Sequence, residues 1–569
     1  MLHHRLAPAF EAVASAPVDP AIRRSQHAHF QSDAALALVR KTGGNPRELA
    51  ARVVEAAQLD DLCSSVEISG PGFINLTLAD EILGRLLADT VGDERLAVPQ
   101  AKAPETIIVD YSAPNAAKEM HVGHLRSTII GDAAVRLLEW QGHTVIRQNH
   151  IGEWGTPFGM LVEHLLDIGE SEAAHELSVG DLNGFYQAAR RKFDADETFK
   201  NRARKRVVLL QSGDERTLRL WRTLVEESKN YFMTVYGLLG VLLTEDDFFG
   251  ESYYNDQLQS VVDELGELGL LRESEGAQCV FPEGYTNRNG DPLPIIVRKG
   301  DGGFGYGATD LATIRHRLRN LQSSRLLYVV GLPQRQHLEM IYEVARDAGW
   351  LVPPARAEHV GHGSILGDDG KMLRTRAGVS VKLVDLLEEA VIRASAVIAE
   401  KNPQLDAETR AAVARAVGIG AVKYADLSTD RRKDYTFDYD RMLSFEGNTA
   451  PYLQYARARI CSIFRRAGVE QPLRGVDSIV IAEPAERALA LELLEFGGLV
   501  SEVSETLEFH KLANYLYSLA SAFTSFYEKC PVLRAEGDVK QSRLALCDLT
   551  ARTLELGLGL LGIEAPDQM

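Results

Sequence analysis

Apolar residues recur at helical spacing through DAALALVRKTGGNPRELAARVVEAA, Asp33 to Ala57, with a Gly-Gly-Asn-Pro break, which predicts helix, turn, helix. In SVEISGPGFINLTLA, Ser65 to Ala79, apolar and polar positions alternate on either side of Gly-Pro-Gly, the pattern of two strands. Residues 101–104 read as a short linker, after which Ile107, Ile108 and Val109 begin a buried strand. Leu125, Ile129, Ala133, Leu137 and Leu138 follow at helical spacing as far as Gly142, and TVIRQNHIG returns as a strand, completing a βαβ unit. From about Met160 to Arg298 the pattern is mostly helical and polar, NRARKRVVLLQ included, and strands reappear at RLLYVVGL near Val329. From about Val384 helices dominate, and neither an internal repeat nor a low-complexity tract is found. The fold class expected is therefore α/β and all-α multidomain. An α+β region covers residues 1–100 and a doubly wound parallel-sheet (Rossmann-like) region covers 101–390, with a mostly helical insertion around 160–298; a helical connector over 391–450 and a helical region over 451–569 follow.

Composition narrows the class. The 569 residues exceed what one core organises, so two to four domains are expected. A net charge of -18 excludes a protein that coats DNA or RNA indiscriminately, so any nucleic-acid partner needs local basic patches on an acidic body. The five cysteines, Cys63, Cys279, Cys461, Cys530 and Cys547, form no C-x-x-C pair, which points away from zinc and disulfides and toward a reducing cytoplasm. No secretory layout follows Met1, and no apolar run approaches the roughly eighteen residues of a membrane span, so a cytoplasmic location is expected.

The candidate chemistry lies in DYSAPNAAKEMHVGHLRSTIIGD, Asp110 to Asp132, after the first buried strand and at the entry of the crossover helix. Doubly wound folds bind nucleotides there, because the helix N-terminus offers free N–H groups and partial positive charge to a phosphate. His121 and His124 can donate hydrogen bonds to phosphate oxygens, and Gly123, lacking Cβ, would let a base or ribose approach the backbone. H-x-G-H by itself fits two surface histidines at a helix end equally well; its placement after a buried strand favours the nucleotide.

This segment resembles the signature of the arginyl-tRNA synthetases, with HVGH as the HIGH-type motif of class I aminoacyl-tRNA synthetases. The family's KMSKS-like loop is matched by LGDDGKMLRTRAG, in which Lys371 and Met372 agree, Leu373 replaces serine, and Arg374 stands for the second lysine. The resemblance implies catalysis by His121, His124, Lys118, Lys371 and Arg374, Lys118 compensating for the degraded loop. It implies ATP binding by His121, Gly123, His124, Lys371 and Met372. A guanidinium needs carboxylates and an aromatic wall, and Glu251 of FFGES with Tyr306 and Asp310 of GYGATDLA match the family's positions. Ser112 and Asn115 of SAPN and Gln334 of GLPQRQH match those that hold the α-amino and α-carboxylate groups. Trp154 and Gly155 of NHIGEWGTPFGML are expected in the pocket floor.

What the resemblance implies for activity is a two-step arginine–tRNA ligase: the L-arginine carboxylate displaces pyrophosphate from ATP, and the terminal ribose of tRNA(Arg) captures the adenylate. ATP is a substrate with Mg²⁺ travelling on it, no zinc and no protein metal site are expected, and a separate editing domain is not needed because no competitor carries a guanidinium. Residues 451–569 resemble the family's anticodon-binding domain, with Tyr452, Tyr455, Arg459, Tyr527 and Met569 as tRNA contacts and Arg457, Arg465 and Arg466 as basic neighbours. Residues 1–100 resemble its tRNA-contacting N-terminal domain. Membrane and DNA are not expected partners, and a monomer is expected. Another class I synthetase, a nucleotidylyltransferase and a tRNA- or arginine-sensing paralogue without turnover are the competing readings; the guanidinium set, the C-terminal block and the intact histidines argue against them in turn.

Overall fold

A computed structural model describes residues 1–169, 182–300, 302–374, 381–473 and 475–569 of the protein. The chain divides into two compact units, one formed by Met1–Val98, Ala456–Leu499 and Leu516–Leu554, the other by Pro99–Tyr455, Val500–Tyr515 and Glu555–Met569.

The second unit is built on a four-stranded parallel sheet. Its strands are β1 (Thr106–Asp110), β2 (Thr144–Gln148), β3 (Arg325–Tyr328) and β4 (Arg356–His359), in the order β4-β3-β1-β2. Ile107, Ile108 and Val109 are all fully buried, as expected of a strand covered on both faces. Crossover helix α1 (Leu125–Trp140) leads from β1 to β2 on one side, whereas β3 and β4 lie on the other, so the strand order reverses between β1 and β3. That reversal opens the crevice where such folds take their ligand.

One side chain ties the carboxyl ends of the strands together. Arg317, on α4 (Tyr306–Arg319), donates to Asp110, the last residue of β1, at 2.7 Å and to Gln148, the last of β2, at 2.6 Å. Its guanidinium lies 5.0 Å from the ring centroid of Tyr328, the last of β3. Burial pulls this guanidinium toward neutrality, but the Asp110 carboxylate more than offsets it and keeps the group charged.

The insertion contains the expected helices, among them α2 (Thr156–Ile168) and the 25-residue α3 (Glu215–Leu239). It also contains an antiparallel sheet absent from the sequence-based expectation, Leu271–Ser274, Ala277–Val280 and Ile295–Arg298. These four-residue strands are too short for alternation to stand out from turns. Val280, Ile295 and Val297 pack into one cluster with Leu311 and Ile314 of α4, which sets the height of α4 above β1 and β3.

In the first unit, four antiparallel strands are ordered Ile22–Arg24, Phe30–Ser32, Phe73–Leu78, Cys63–Ser69. The Asn45 side chain caps Pro46–Ala57 by accepting from Arg47 N at 3.0 Å. N-terminal and C-terminal segments share this unit: Arg487 forks onto Asp80 at 2.7 and 2.6 Å, and a Cβ on Gly497 would fall 2.1 Å from the Ala97 carbonyl oxygen. Among the described residues no helix is long and apolar enough to cross a membrane.

Candidate active site

At the carboxyl end of β1 the backbone of Ser112, Ala113 and Ala117 adopts positive φ, which throws the SAPN segment into a tight coil before the histidines. His121 precedes and His124 ends the short 3₁₀ turn Val122–His124, and the two cap it reciprocally. Gly123 N donates to His121 Nδ1 at 3.0 Å, and His121 N donates to His124 Nδ1 at 3.1 Å. With each Nδ1 occupied as an acceptor, the proton of the neutral ring sits on Nε2, leaving both Nε2–H groups as donors. Burial, then the neighbouring Lys118 charge, lowers the His121 pKa; burial above all brings His124 down to about 3. Two neutral donors, ring centroids 4.2 Å apart, are thus preorganised above the strand switch.

A Cβ on Gly123 would lie 2.7 Å from His121 Cε1, so the glycine makes room for the histidine ring. Lys118 rests its ammonium 4.5 Å over the Tyr186 ring. The histidine segment is also stitched to the chain beyond the KMLR loop: Val122 N donates to Val381 O and Leu383 N to Met120 O, both at 3.0 Å, and Lys382 pairs with Glu119 at 3.0 Å. Lys371 and Met372 end a tight turn closed by Gly370 at φ 70°, with Gly367 N donating to Lys371 O at 2.8 Å. Lys371 and Arg374 are exposed and have no ion-pair partner among the described residues; Thr375 to Gly378 of the motif lie outside them.

A second group assembles around α4. Tyr306 opens the helix, 72 % exposed, and Asp310 follows one turn later. His337 Nε2 donates to Asp310 Oδ2 at 2.6 Å while its ring lies 5.2 Å from that of Tyr306, so one imidazole aligns both residues. Gln334 is exposed at the start of helix α5 (Arg335–Asp347), on which His337 lies. Glu251 is drawn in by the NHIGEWG segment, accepting from Trp154 N at 3.0 Å. Trp154, Glu251, Tyr306, Phe304, Lys299 and Thr309 line part of a cavity of about 230 Å³. Asn115 is exposed, and Gly152 is the residue that allows it: a Cβ there would sit 2.4 Å from Asn115 Oδ1. The Ser112 hydroxyl is buried and bonds with Tyr236 at 2.8 Å and Thr128 at 3.0 Å.

Of the residues expected to meet tRNA, Arg459 stacks 4.3 Å over Tyr527 in the first unit. In the second, Tyr455 is 47 % exposed beside Phe445, and the Met569 carbonyl accepts from Asn402 at 2.9 Å. Among the described residues no cluster of three or more metal-ligating side chains occurs.

Sequence reasoning missed His337, Arg317, Glu153 and Lys382. His337 stands three positions after Gln334 in the quoted GLPQRQH and was the one within reach; the others act through burial or through partners far along the chain.

A doubly wound sheet with a neutral histidine pair at its switch point is the arrangement of a nucleotide-binding domain. Three family models match: the class I (R) tRNA synthetase catalytic domain over residues 87–439, the DALR anticodon-binding domain over 453–569 and the arginyl-tRNA synthetase N-terminal domain over 1–78. An arginine–tRNA ligase of Thermobifida fusca is 58% identical over 97% of this chain and 95% of its own; one of Streptomyces avermitilis is 47% identical over 100% and 98%. The arginyl-tRNA synthetase structure from Plasmodium falciparum is 28% identical with a TM-score of 0.83, covering 100% of this chain and 98% of its own. The chain belongs to the arginyl-tRNA synthetase family.

Proposed function

We propose that the protein is an arginine–tRNA ligase that activates L-arginine with ATP and transfers it to the 3′-terminal adenosine of tRNA(Arg), acting in the cytoplasm as a monomer. The observation that supports this is the neutral pair of Nε2–H donors at the strand switch, together with Glu251 and Tyr306 on one cavity and Asp310 one turn after Tyr306, held by His337. In the first step the arginine carboxylate attacks the α-phosphate of MgATP in line and pyrophosphate departs. His121 and His124 donate to phosphate oxygens as their charge shifts, and Lys118, Lys371 and Arg374 neutralise the leaving group; no protein nucleophile takes part. Asp310 and Glu251 hold the guanidinium beside Tyr306, and Asn115 and Gln334 hold the α-groups. Rejection of lysine follows, because an ammonium leaves acidic acceptors unpaired. The adenylate is then captured by the tRNA ribose, with Tyr452, Tyr455, Arg459, Tyr527 and Met569 meeting the tRNA elsewhere. Aminoacylation of total tRNA with each labelled amino acid, beside ATP–pyrophosphate exchange with and without tRNA, tests this: charging with arginine alone is expected, and charging with another amino acid refutes it.

A further inference from the structure

Directly behind the guanidinium cavity lies a carboxylate with no assigned role. Glu153 is 2 % exposed, and its Oε1 accepts from Ser252 N at 3.1 Å and Ser252 Oγ at 2.6 Å. Its other oxygen, Oε2, is buried and makes no hydrogen bond. The neighbouring turn is shaped around it, since a Cβ on Gly250 would lie 2.0 Å from Oε1. The Trp221 indole, on α3, fixes the Glu153 carbonyl at 2.7 Å. Glu153 thus grips Gly250 and Ser252, the residues on either side of Glu251, while its chain neighbour Trp154 donates its N–H to the Glu251 carboxylate.

No cation is paired with Glu153 by a salt bridge among the described residues, and a buried carboxyl without one is costly to keep ionised. An apolar or amide side chain would fill the site more stably, so the acid's presence calls for a function. We infer that Glu153 is a positioning residue for arginine: it sets the orientation of Glu251 and, when ionised, adds a third negative charge near the guanidinium, beside those of Glu251 and Asp310. This rests on the arginine-binding role proposed for the cavity. The charged groups facing Glu153 are Glu251 on the turn and Lys229 on α3, and Lys299 lines the cavity. Burial, opposed by the Ser252 bonds and reinforced by Glu251, pushes the Glu153 carboxyl up to about 7. Its charge is present above that pH and lost below it, and a bound guanidinium favours the charged form, so arginine binding weakens as the pH falls through 7.

The test is arginine-dependent ATP–pyrophosphate exchange with tRNA present, from pH 6 to 8, for the full chain and for Glu153→Gln, whose amide oxygen still accepts from Ser252. In the wild type the KM for arginine is expected to rise about five- to tenfold between pH 8 and pH 6. Glu153→Gln is expected to show a KM for arginine raised about tenfold at pH 8 and flat with pH. Its KM for ATP, and kcat at saturating arginine, should stay within about twofold, and its Tm at pH 8 should not fall below the wild-type value. An unchanged KM and pH profile in the variant overturns the inference. So does an equal rise in both KM values with a lower Tm, which marks a merely structural residue. A wild type that does not exchange with arginine at all refutes the proposed function, and this inference with it.

Discussion

His121 reaches its working position because its neighbour has no side chain. Gly123→Ala would place a methyl 2.7 Å from the imidazole and rotate the Nε2–H donor off its target. Exchange activity should fall about 10²-fold, the loss typical of one displaced oxyanion-type donor, with Tm nearly unchanged. An alanine variant retaining full kcat would show that the donor geometry is dispensable. His124 yields a pH prediction of its own. Its folded pKa, about 3, is depressed below the ordinary 6.5, so the unfolded chain takes up a proton that the folded chain refuses. Its contribution is intact above pH 6.5 and is lost as the pH falls toward 3; wild-type Tm should drop more steeply between pH 6.5 and 5 than that of His124→Gln. On the arginine side, His337→Ala frees Asp310 from its 2.6 Å bond, and the KM for arginine should rise about tenfold while that for ATP holds. Equal shifts in both constants would mean that Asp310 does not face arginine.

At the scale of elements, α4 is both the bearer of Tyr306 and Asp310 and the clamp on the sheet. Arg317 sits on its last turns and touches the final residues of β1, β2 and β3. Arg317→Met leaves the Asp110 carboxylate buried and unpaired, which should cost about 3–5 kcal/mol in denaturant unfolding. Asp110→Asn in the same chain should recover part of that loss, because it removes the stranded charge. The helical and strand patterns that announce β1, α1 and β2 were legible, since apolar periodicity is local. The sheet Leu271–Val280 and Ile295–Arg298, and β4, were not, since each strand has only four residues and pairs with chain that is distant or turn-broken. The same limit hid Glu153, whose WG-flanked position carries no mark of burial.

Across the whole molecule, the last residues of the chain return to the catalytic unit. A Cβ on Gly562 would meet Lys423 Nζ at 2.8 Å, Asp132 Oδ2 at 2.9 Å and Arg136 Nε at 3.1 Å, so the tail fits against a charge cluster that includes Asp132 and Arg136 of α1, the helix that follows the histidines. The cluster is held by Arg136 on Asp132 at 2.7 Å and by Lys423 on the Leu239 carbonyl at 3.1 Å. Gly562→Val should lower Tm by several degrees and reduce exchange activity, measured by thermal unfolding beside ATP–pyrophosphate exchange.

Where the chemistry is carried by short contiguous runs, residue order alone determined it. HVGH, SAPN and GYGATD carry the resemblance on which the proposed nucleotide and arginine sites rest, because each is a contiguous run that can be matched without its surroundings. Tertiary structure alone decided what each of those side chains touches. It bonds the Ser112 hydroxyl to Tyr236, aligns Asp310 through His337, sets the His121 ring beside Gly123, and ties Glu153 to Ser252 next to Glu251. Each of these depends on burial or on a partner remote in sequence, and neither quantity is encoded in local spacing.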